Sequence, residues 1–118
     1  MAGERLSKVA EAIKEEVALI LQRELKDPRV GFVTVTRVAV SADLQHATVY
    51  FSVLEGPAKA AETEVGLKSS AGFVRRLLGE RLRTRVTPEV TFRADPSVAE
   101  SIRISKLLGE VRNKQGES

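Results

Sequence analysis

Residues 68–76 of the chain read KSSAGFVRR, and this stretch decides the fold because small residues separate two helical patterns there. Residues 57–69 are weakly amphipathic and open with a proline, which is favoured in a first helical turn. Residues 73–83 repeat apolar side chains at three- and four-residue spacing, as a helix with one buried face does. Glycine destabilises the interior of a helix, and Gly/Ser pairs are a common cause of helix kinks. We therefore predict two helices joined by a kink at residues 70–72.

The patterns on either side of this stretch predict an α+β domain. Residues 3–26 repeat apolar side chains at helical spacing. Residues 32–40 are rich in valine and threonine, and apolar side chains on both faces favour a central strand or a bulge near Arg37. Residues 46–54 alternate cleanly and complete an antiparallel hairpin, and residues 88–93 form a third strand. The predicted order is α-β-β-α-kink-α-β with a three-stranded sheet, a two-layer architecture.

The chain length of 118 residues corresponds to a single domain. We assign residues 1–95 to this domain and residues 96–118 to a short C-terminal helix with a frayed tail. Asp95 and Pro96 mark the boundary, because they combine an N-cap residue with a first-turn proline.

The predicted core collects the apolar faces of these elements. Its members are Ile13, Val17, Leu21, Val49, Phe51, Phe73, Leu77, Leu78 and Phe92. Because three of the few aromatic residues are assigned to this core, too few remain for an aromatic platform that stacks several bases. A nucleic acid would therefore be recognised through its backbone and shape.

The composition excludes several classes of site. Cysteine is absent, which rules out disulfides, thiolate metal sites and cysteine nucleophiles, and the single histidine, His46, forms no histidine cluster. We find no glycine-rich phosphate loop, and His46 is assigned to the exposed face of a strand. We therefore predict no enzyme activity, no cofactor and no metal. No apolar run approaches the roughly 20 residues of a membrane span, so no membrane partner is expected.

Basic residues concentrate in residues 68–93, which hold seven of them against two acidic residues. Such a concentration indicates a polyanion partner or a solvated helix surface. A kink at residues 70–72 would leave free N–H groups and the positive end of a helix dipole facing outward, which suits phosphate. The predicted RNA-binding residues are Lys68, Ser70, Ala71, Gly72, Arg75, Arg76, Arg81, Arg83 and Arg85, with Arg5, Lys8 and Arg29 as a second set on the first helix and its exit turn.

Three other interpretations of these residues remain open. The chain could be an interaction module of the α+β class that docks its basic helix on an acidic protein, which the salt dependence of RNA binding would distinguish. It could be a small metal-free hydrolase, which any turnover would reveal. Residues 68–76 could also be an ordinary joint between packed helices, with arginines that contact only solvent.

Several longer motifs carry a resemblance to a known family. They are Arg5-Leu6, LQRELKDPR at 21–29, SADL at 41–44, Val49-Tyr50, GFVR at 72–75 and PEVTF at 88–92. Together they resemble bacterial ribosome-binding factor A along nearly the whole chain. That family has a type II KH-like fold in which a kinked A-x-G joint replaces the usual G-x-x-G loop. Here Ser70 stands at the first joint position, where the family has alanine.

The resemblance implies a function that the residues alone do not indicate. Members of the family bind the immature small (30S) ribosomal subunit, contact its 16S rRNA and support maturation of the rRNA 5′ end. They also support growth in the cold. We accordingly expect a cytoplasmic, monomeric, non-catalytic assembly factor whose partners are the small subunit and its rRNA.

Overall fold

The structure, a computed structural model, describes residues 2–82 and 85–96. Its elements are helix α1 (Ala2–Arg23), strands β1 (Thr34–Val40) and β2 (His46–Ser52), helix α2 (Pro57–Arg81) and strand β3 (Glu89–Ala94). Arg83 and all but Pro96 of the predicted C-terminal helix and tail lie outside the described residues. The division at residue 95 therefore stays a prediction.

The three strands form one sheet in the order β1-β2-β3, so β2 is central. β1 and β2 pair antiparallel as the predicted hairpin, and β3 pairs parallel to β2 after the crossover through α2. Both helices contact the sheet and each other. The α+β prediction with a three-stranded sheet is confirmed.

A β-bulge interrupts the pairing of β1 with β2. The register shifts between Val35 and Arg37, which leaves Thr36 as the extra residue. The Thr36 hydroxyl donates a hydrogen bond of 2.6 Å to Oδ2 of Asp95, just beyond β3. The bulge predicted near Arg37 is confirmed, and the central-strand alternative is wrong because β1 lies at an edge.

The predicted kink is absent as a break in the helix, because α2 runs without interruption through residues 70–72. Of the glycines in the described residues, only Gly56, just before α2, has a positive φ. Leu67, Val74 and Leu78 are fully buried on one side of α2, above and below the small residues. Burial of these side chains outweighs the roughly 1 kcal/mol that one helical glycine costs. The prediction of two helices with free N–H groups at a joint is therefore wrong.

The core lies between the helices and one face of the sheet. Most predicted members are fully buried: Ile13, Val17, Val49, Phe51, Leu78 and Phe92. Leu21 and Leu77 are half-buried against them. Phe73 is a correction, because it lies outside this cluster and lines a groove on the surface.

Candidate nucleic-acid interface

A shallow concavity of about 490 Å³ lies between α2 and the loop that leads into β3. Two glycines and three arginines make up most of its lining, and the full set is Gly72, Arg75, Arg76, Gly79, Arg85, Val86 and Thr87. Arg75 and Arg76 come from α2, whereas Arg85 comes from the loop. The fold therefore brings together basic side chains from two separate segments.

Gly79 and Arg75 hold the loop against the helix. A Cβ on Gly79 would lie 2.8 Å from Oγ1 of Thr87, so only glycine lets the loop approach this closely. Nη2 of Arg75 donates a hydrogen bond of 3.2 Å to the Thr87 carbonyl oxygen. These contacts fix the loop, and with it the position of Arg85. The sequence interpretation missed Gly79 and Thr87, although a second glycine inside a helical pattern was a readable signal.

The three arginines of the concavity are exposed. The Arg76 guanidinium carbon lies 5.5 Å from the centroid of the Phe73 ring, a cation–π contact. Within the described residues, none of Arg75, Arg76 and Arg85 forms a salt bridge with a carboxylate. Apart from Nη2 of Arg75, which is bound to Thr87, their guanidinium groups therefore remain available for an anion. Arginine matches phosphate in a bidentate geometry.

Packing does not require a glycine at position 72. It is exposed, and a Cβ built on it would meet nothing within 4 Å. By contrast, a Cβ on Gly66, two turns earlier, would lie 2.8 Å from Cγ2 of Val30. Gly72 thus leaves a bare patch of helix backbone beside Arg75 and Arg76. Such a patch lets a partner's backbone approach the helix closely.

A second groove follows the other side of α2, between that helix and the exit turn of α1. Its apolar lining comes from Leu25, Pro28 and Phe73. The remaining lining is polar or charged: Glu24, Lys26, Asp27, Arg29, Ser69 and Ser70. The three small residues predicted to form a joint therefore face different surroundings. Ser70 lines this groove, Ala71 packs against the core and Gly72 lines the arginine concavity.

Arg29 is bound to Asp27 within the exit turn of α1. Nε and Nη2 of Arg29 donate hydrogen bonds of 3.0 and 2.7 Å to the two carboxylate oxygens, and the Arg29 backbone N–H donates a third. These hydrogen bonds, that of the side chain first, lower the pKa of Asp27 to about 2. Asp27 in turn raises the pKa of Arg29. Arg29 stabilises the turn and offers an anion less than a free arginine does.

Other predicted basic residues are also paired internally. Arg81 forms salt bridges of 3.8 Å with Glu16 and 3.4 Å with Glu24, and so connects α2 to α1 and its exit turn. Lys68 lies 3.5 Å from Glu64, one turn earlier in the same helix. The structure therefore does not place Arg81 and Lys68 with the free arginines of the concavity.

Arg5 and Lys8 are exposed near the start of α1 and line neither groove. In the described parts of the chain there is no group of three or more His, Asp or Glu side chains that could hold a metal ion. Neither described helix combines the length and the apolar character that a membrane crossing requires.

Comparison with known sequences identifies relatives over nearly the whole chain. The family described as "Ribosome-binding factor A" matches residues 5–108. Ribosome-binding factor A of Halothermothrix orenii is 42% identical over 115 residues, which cover 98% of this chain and 94% of that protein. Its counterpart in Heliobacterium modesticaldum is 44% identical over 113 residues, or 96% and 93% of the two chains.

Solved structures give the same result for the fold. A solution NMR structure of a Thermotoga maritima ribosome binding factor A has a TM-score of 0.68 at 34% identity, covering 75% of this chain and 85% of that one. The Thermus thermophilus crystal structure has a TM-score of 0.67 at 24% identity, with 75% and 94% covered. A Thermus thermophilus homology model fitted into the cryo-EM map of a 30S complex has a TM-score of 0.62 at 25% identity, with 75% and 92% covered. The predicted α+β architecture is therefore shared with structures of ribosome-binding factor A.

Proposed function

This chain belongs to the ribosome-binding factor A family, and from that premise we propose that it binds the small ribosomal subunit through 16S rRNA. One relative has been fitted into a map of its 30S complex, which supports the choice of partner. The observation that carries the proposal in this chain is the convergence of Arg75, Arg76 and Arg85, free of carboxylates in the described residues, around the bare backbone at Gly72.

The proposed contact reads the RNA backbone and not its sequence. Guanidinium groups grip phosphate oxygens, which fix position and register but carry no base information. Gly72 allows the sugar–phosphate chain to reach the helix surface, and Phe73, Leu25 and Pro28 give the groove on the other side of α2 an apolar lining. This arrangement suits a partner recognised by shape, as a folded rRNA is.

We further propose that the chain acts as a cytoplasmic monomer that supports maturation of the rRNA 5′ end without catalysing it. A binding protein changes the conformation of its partner only by the difference in its affinity for two states. The chain must therefore bind the immature subunit more tightly than the mature one, and so hold the rRNA in a form that a nuclease processes. Co-sedimentation with immature and with mature subunits measures this difference directly.

The binding site is tested with the double variant Arg75→Gln/Arg76→Gln. Each lost phosphate contact reduces the slope of log affinity against log salt by about 0.7–0.9. We expect the double variant to flatten the slope by one to two units and to bind small subunits more weakly. Its thermal unfolding should change little, because exposed charges contribute little to stability and the hydrogen bond lost between Arg75 and Thr87 is exposed.

A matched pair of single variants controls for charge. Arg23→Gln removes an exposed arginine near the end of α1, and Arg76→Gln removes one from the concavity. Only Arg76→Gln should weaken co-sedimentation. If the double variant keeps the parent's salt slope, the site lies elsewhere, and Arg5→Gln/Lys8→Gln is the next test. If the chain binds small subunits but not protein-free 16S rRNA, its partner is a ribosomal protein, and the interaction-module alternative is correct.

A further inference from the structure

One face of the sheet is left uncovered by both helices. The side chains of Ala47, Val49 and Phe51 in β2 are buried beneath the helices. The alternate side chains of β2 point to the opposite face, together with those of Arg37 in β1 and Arg93 in β3. No described element packs on that face, and we call it the open face.

A row of three side chains crosses the middle of the open face. Tyr50 pairs with Arg37 on one side and with Arg93 on the other. The Arg37 guanidinium carbon lies 3.9 Å from the centroid of the Tyr50 ring, which is a stacked cation–π arrangement. Arg93 is exposed and forms no salt bridge with a described residue. The row therefore presents on the open face a guanidinium stacked on a half-buried aromatic ring, with a second, exposed guanidinium at Arg93.

The β-bulge in β1 is what places Arg37 in this row. Val35 is buried, and strict alternation along the strand would turn Arg37 toward the same buried face. The extra residue, Thr36, shifts the alternation by one and sends Arg37 to the open face. Asp95 stabilises this arrangement, since its carboxylate accepts the Thr36 hydroxyl at 2.6 Å and lies 3.8 Å from Nε of Arg37.

We propose that the row Arg37–Tyr50–Arg93 is a second RNA contact, which takes a single-stranded segment with one base stacked on the Arg37–Tyr50 pair and a phosphate at Arg93. Aromatic rings and guanidinium planes are the groups on which unpaired bases stack. Bases inside a duplex do not expose their faces, so the segment must be unpaired. The inference rests on the proposed function only in taking RNA as the partner.

Charge on the open face suits a polyanion, and the Arg37–Tyr50 stack favours RNA over an acidic protein surface because unpaired bases stack on such groups. The nearest carboxylate, Asp95, is buried and engaged with Thr36, with its side chain only 3% exposed. Glu89 lies at the far end of the face, 3.8 Å from His46. Asp95 offsets the charge of Arg37, from which it lies 3.8 Å, whereas Arg93 has no carboxylate partner among the described residues. The centre of the face therefore carries a net positive charge that is complementary to a phosphate chain. A single ring supports one stacked base, and not the two or three bases of a larger aromatic platform.

The open face and the arginine concavity lie on opposite sides of the two-layer domain. α2 packs its buried side against the sheet and exposes Gly72 and Arg76 away from it. A chain that binds RNA on both sides holds two RNA segments at once. Where both segments belong to one RNA, the second contact is intramolecular, and the complex is stronger than either contact alone.

Tyrosine fluorescence tests this proposal at the row itself. The chain has one tyrosine and no tryptophan, so its emission reports on Tyr50 alone. The full chain is to be titrated with a single-stranded A10 oligoribonucleotide and, separately, with an abasic decamer of equal charge. A parallel titration of free N-acetyltyrosinamide corrects for the light that the oligonucleotides absorb. We expect saturable quenching with A10 and little with the abasic decamer. A 5′ label on A10 reports binding independently. If A10 binds but the emission of Tyr50 does not change, the proposal is overturned.

Variants then separate stacking from folding and from the first site. In the Arg75→Gln/Arg76→Gln background, which lacks those phosphate contacts of the concavity, Tyr50→Thr keeps a strand-forming residue and should weaken A10 binding about 5- to 150-fold, whereas Tyr50→Phe should restore it. In the same background Arg93→Gln should weaken A10 binding more than Arg23→Gln does. If Tyr50→Thr leaves the affinity for A10 unchanged in this background, the proposal is overturned.

The double variant Arg75→Gln/Arg76→Gln distinguishes failure of this proposal from failure of the proposed function. In that variant we expect Tyr50 emission still to respond to A10 while binding to small subunits weakens. If the emission of Tyr50 no longer responds to A10 in this double variant, the open face is not an independent contact, and the proposal is overturned. If the response persists while small-subunit binding is unchanged, the arginine concavity fails as the ribosomal site and the open face stands.

Discussion

The two halves of α2 differ in how they use charge. In the first half, Lys59 lies 3.6 Å from Glu62 and Lys68 lies 3.5 Å from Glu64, so the basic side chains are matched inside the helix. In the second half, Arg75 and Arg76 have no carboxylate partner among the described residues. The density of basic residues alone therefore does not identify a binding surface. The presence or absence of internal partners does.

The glycines of the two halves differ in the same way. Gly66 fits against Val30, where a Cβ would lie 2.8 Å from Cγ2 and 3.1 Å from Cβ of Arg29. Gly72 in the second half meets nothing within 4 Å, although Gly79 near the end of the helix fits against Thr87. The first half of α2 thus serves the fold, whereas Arg75, Arg76 and Gly72 in the second half are left for a partner. The following changes test this contrast, from the largest expected effect to the smallest.

Phe92→Ala should have the largest effect, because it removes the support beneath α2. Phe92 is fully buried in β3, which contacts α2. Truncation of a buried phenylalanine costs about 3–5 kcal/mol of unfolding free energy, a large part of a total of about 5–15 kcal/mol. Urea unfolding measures the loss, and a value below about 1 kcal/mol would falsify the placement of β3. If the variant does not fold, Phe92→Leu supplies a milder test at the same position.

Gly66→Ala should destabilise the chain through the first half of α2. Overpacking costs about 1–3 kcal/mol and helix propensity returns about 1 kcal/mol, so we expect a net loss of up to about 2 kcal/mol. Urea unfolding of Gly66→Ala, Val30→Ala and the double variant forms a thermodynamic cycle. The cost of Gly66→Ala should shrink when Val30 is alanine, and an unchanged cost would contradict the close contact.

Gly72→Ala should have the opposite sign for stability. The added Cβ meets open space, and alanine favours a helix over glycine by up to about 1 kcal/mol. Small-subunit binding should weaken nevertheless, because the methyl group blocks the bare backbone. Thermal unfolding and co-sedimentation on the same preparation give both quantities. Unchanged co-sedimentation would remove Gly72 from the proposed interface.

Asp27→Asn should have the smallest effect, confined to the turn against which Gly66 packs. Arg29 lowers the pKa of Asp27 to about 2, below its ordinary value near 3.9. The carboxylate therefore stabilises the folded state fully above its unfolded pKa, and this contribution is lost as pH falls from about 4 through 2. Urea midpoints of the parent and Asp27→Asn should differ at pH 6 and converge near pH 2. The urea midpoint of Arg29→Gln should converge with that of the parent in the same way. A difference in midpoint that stays constant at all pH values would show that the Asp27–Arg29 interaction is not the source of the stability.

Much of the fold was predictable because its signals are local. Alternation in residues 46–54 predicts β2, and apolar side chains on both faces of β1 predict either a central strand or a bulge near Arg37, which the structure has at Thr36. The continuity of α2 was not predictable from residues 70–72, because local propensity indicates a break at Gly72. Packing of Leu67 and Val74 against the core, which the local sequence does not show, holds the helix together.

The candidate site was predictable only in part for the same reason. Arg75 and Arg76 were placed outward from helical spacing alone, and the structure agrees. The pairing of Arg81 with Glu16 and Glu24 depends on two helices that are distant in sequence. The side-chain hydrogen bonds between Asp27 and Arg29 are predictable from the local sequence, because the two residues are only two positions apart.

The parallel pairing of β3 with β2 has a consequence for how the chain folds. The β1–β2 hairpin joins neighbours in sequence, whereas His46 meets Glu89 only after all of α2 has been made. Contacts between distant residues form slowly because the intervening loop must first close. During synthesis the hairpin and α2 are complete before β3 emerges, and the edge of β2 is unpaired in that interval. An unpaired edge is a template for strands of other chains, so nascent chains that end before Glu89 should aggregate most readily.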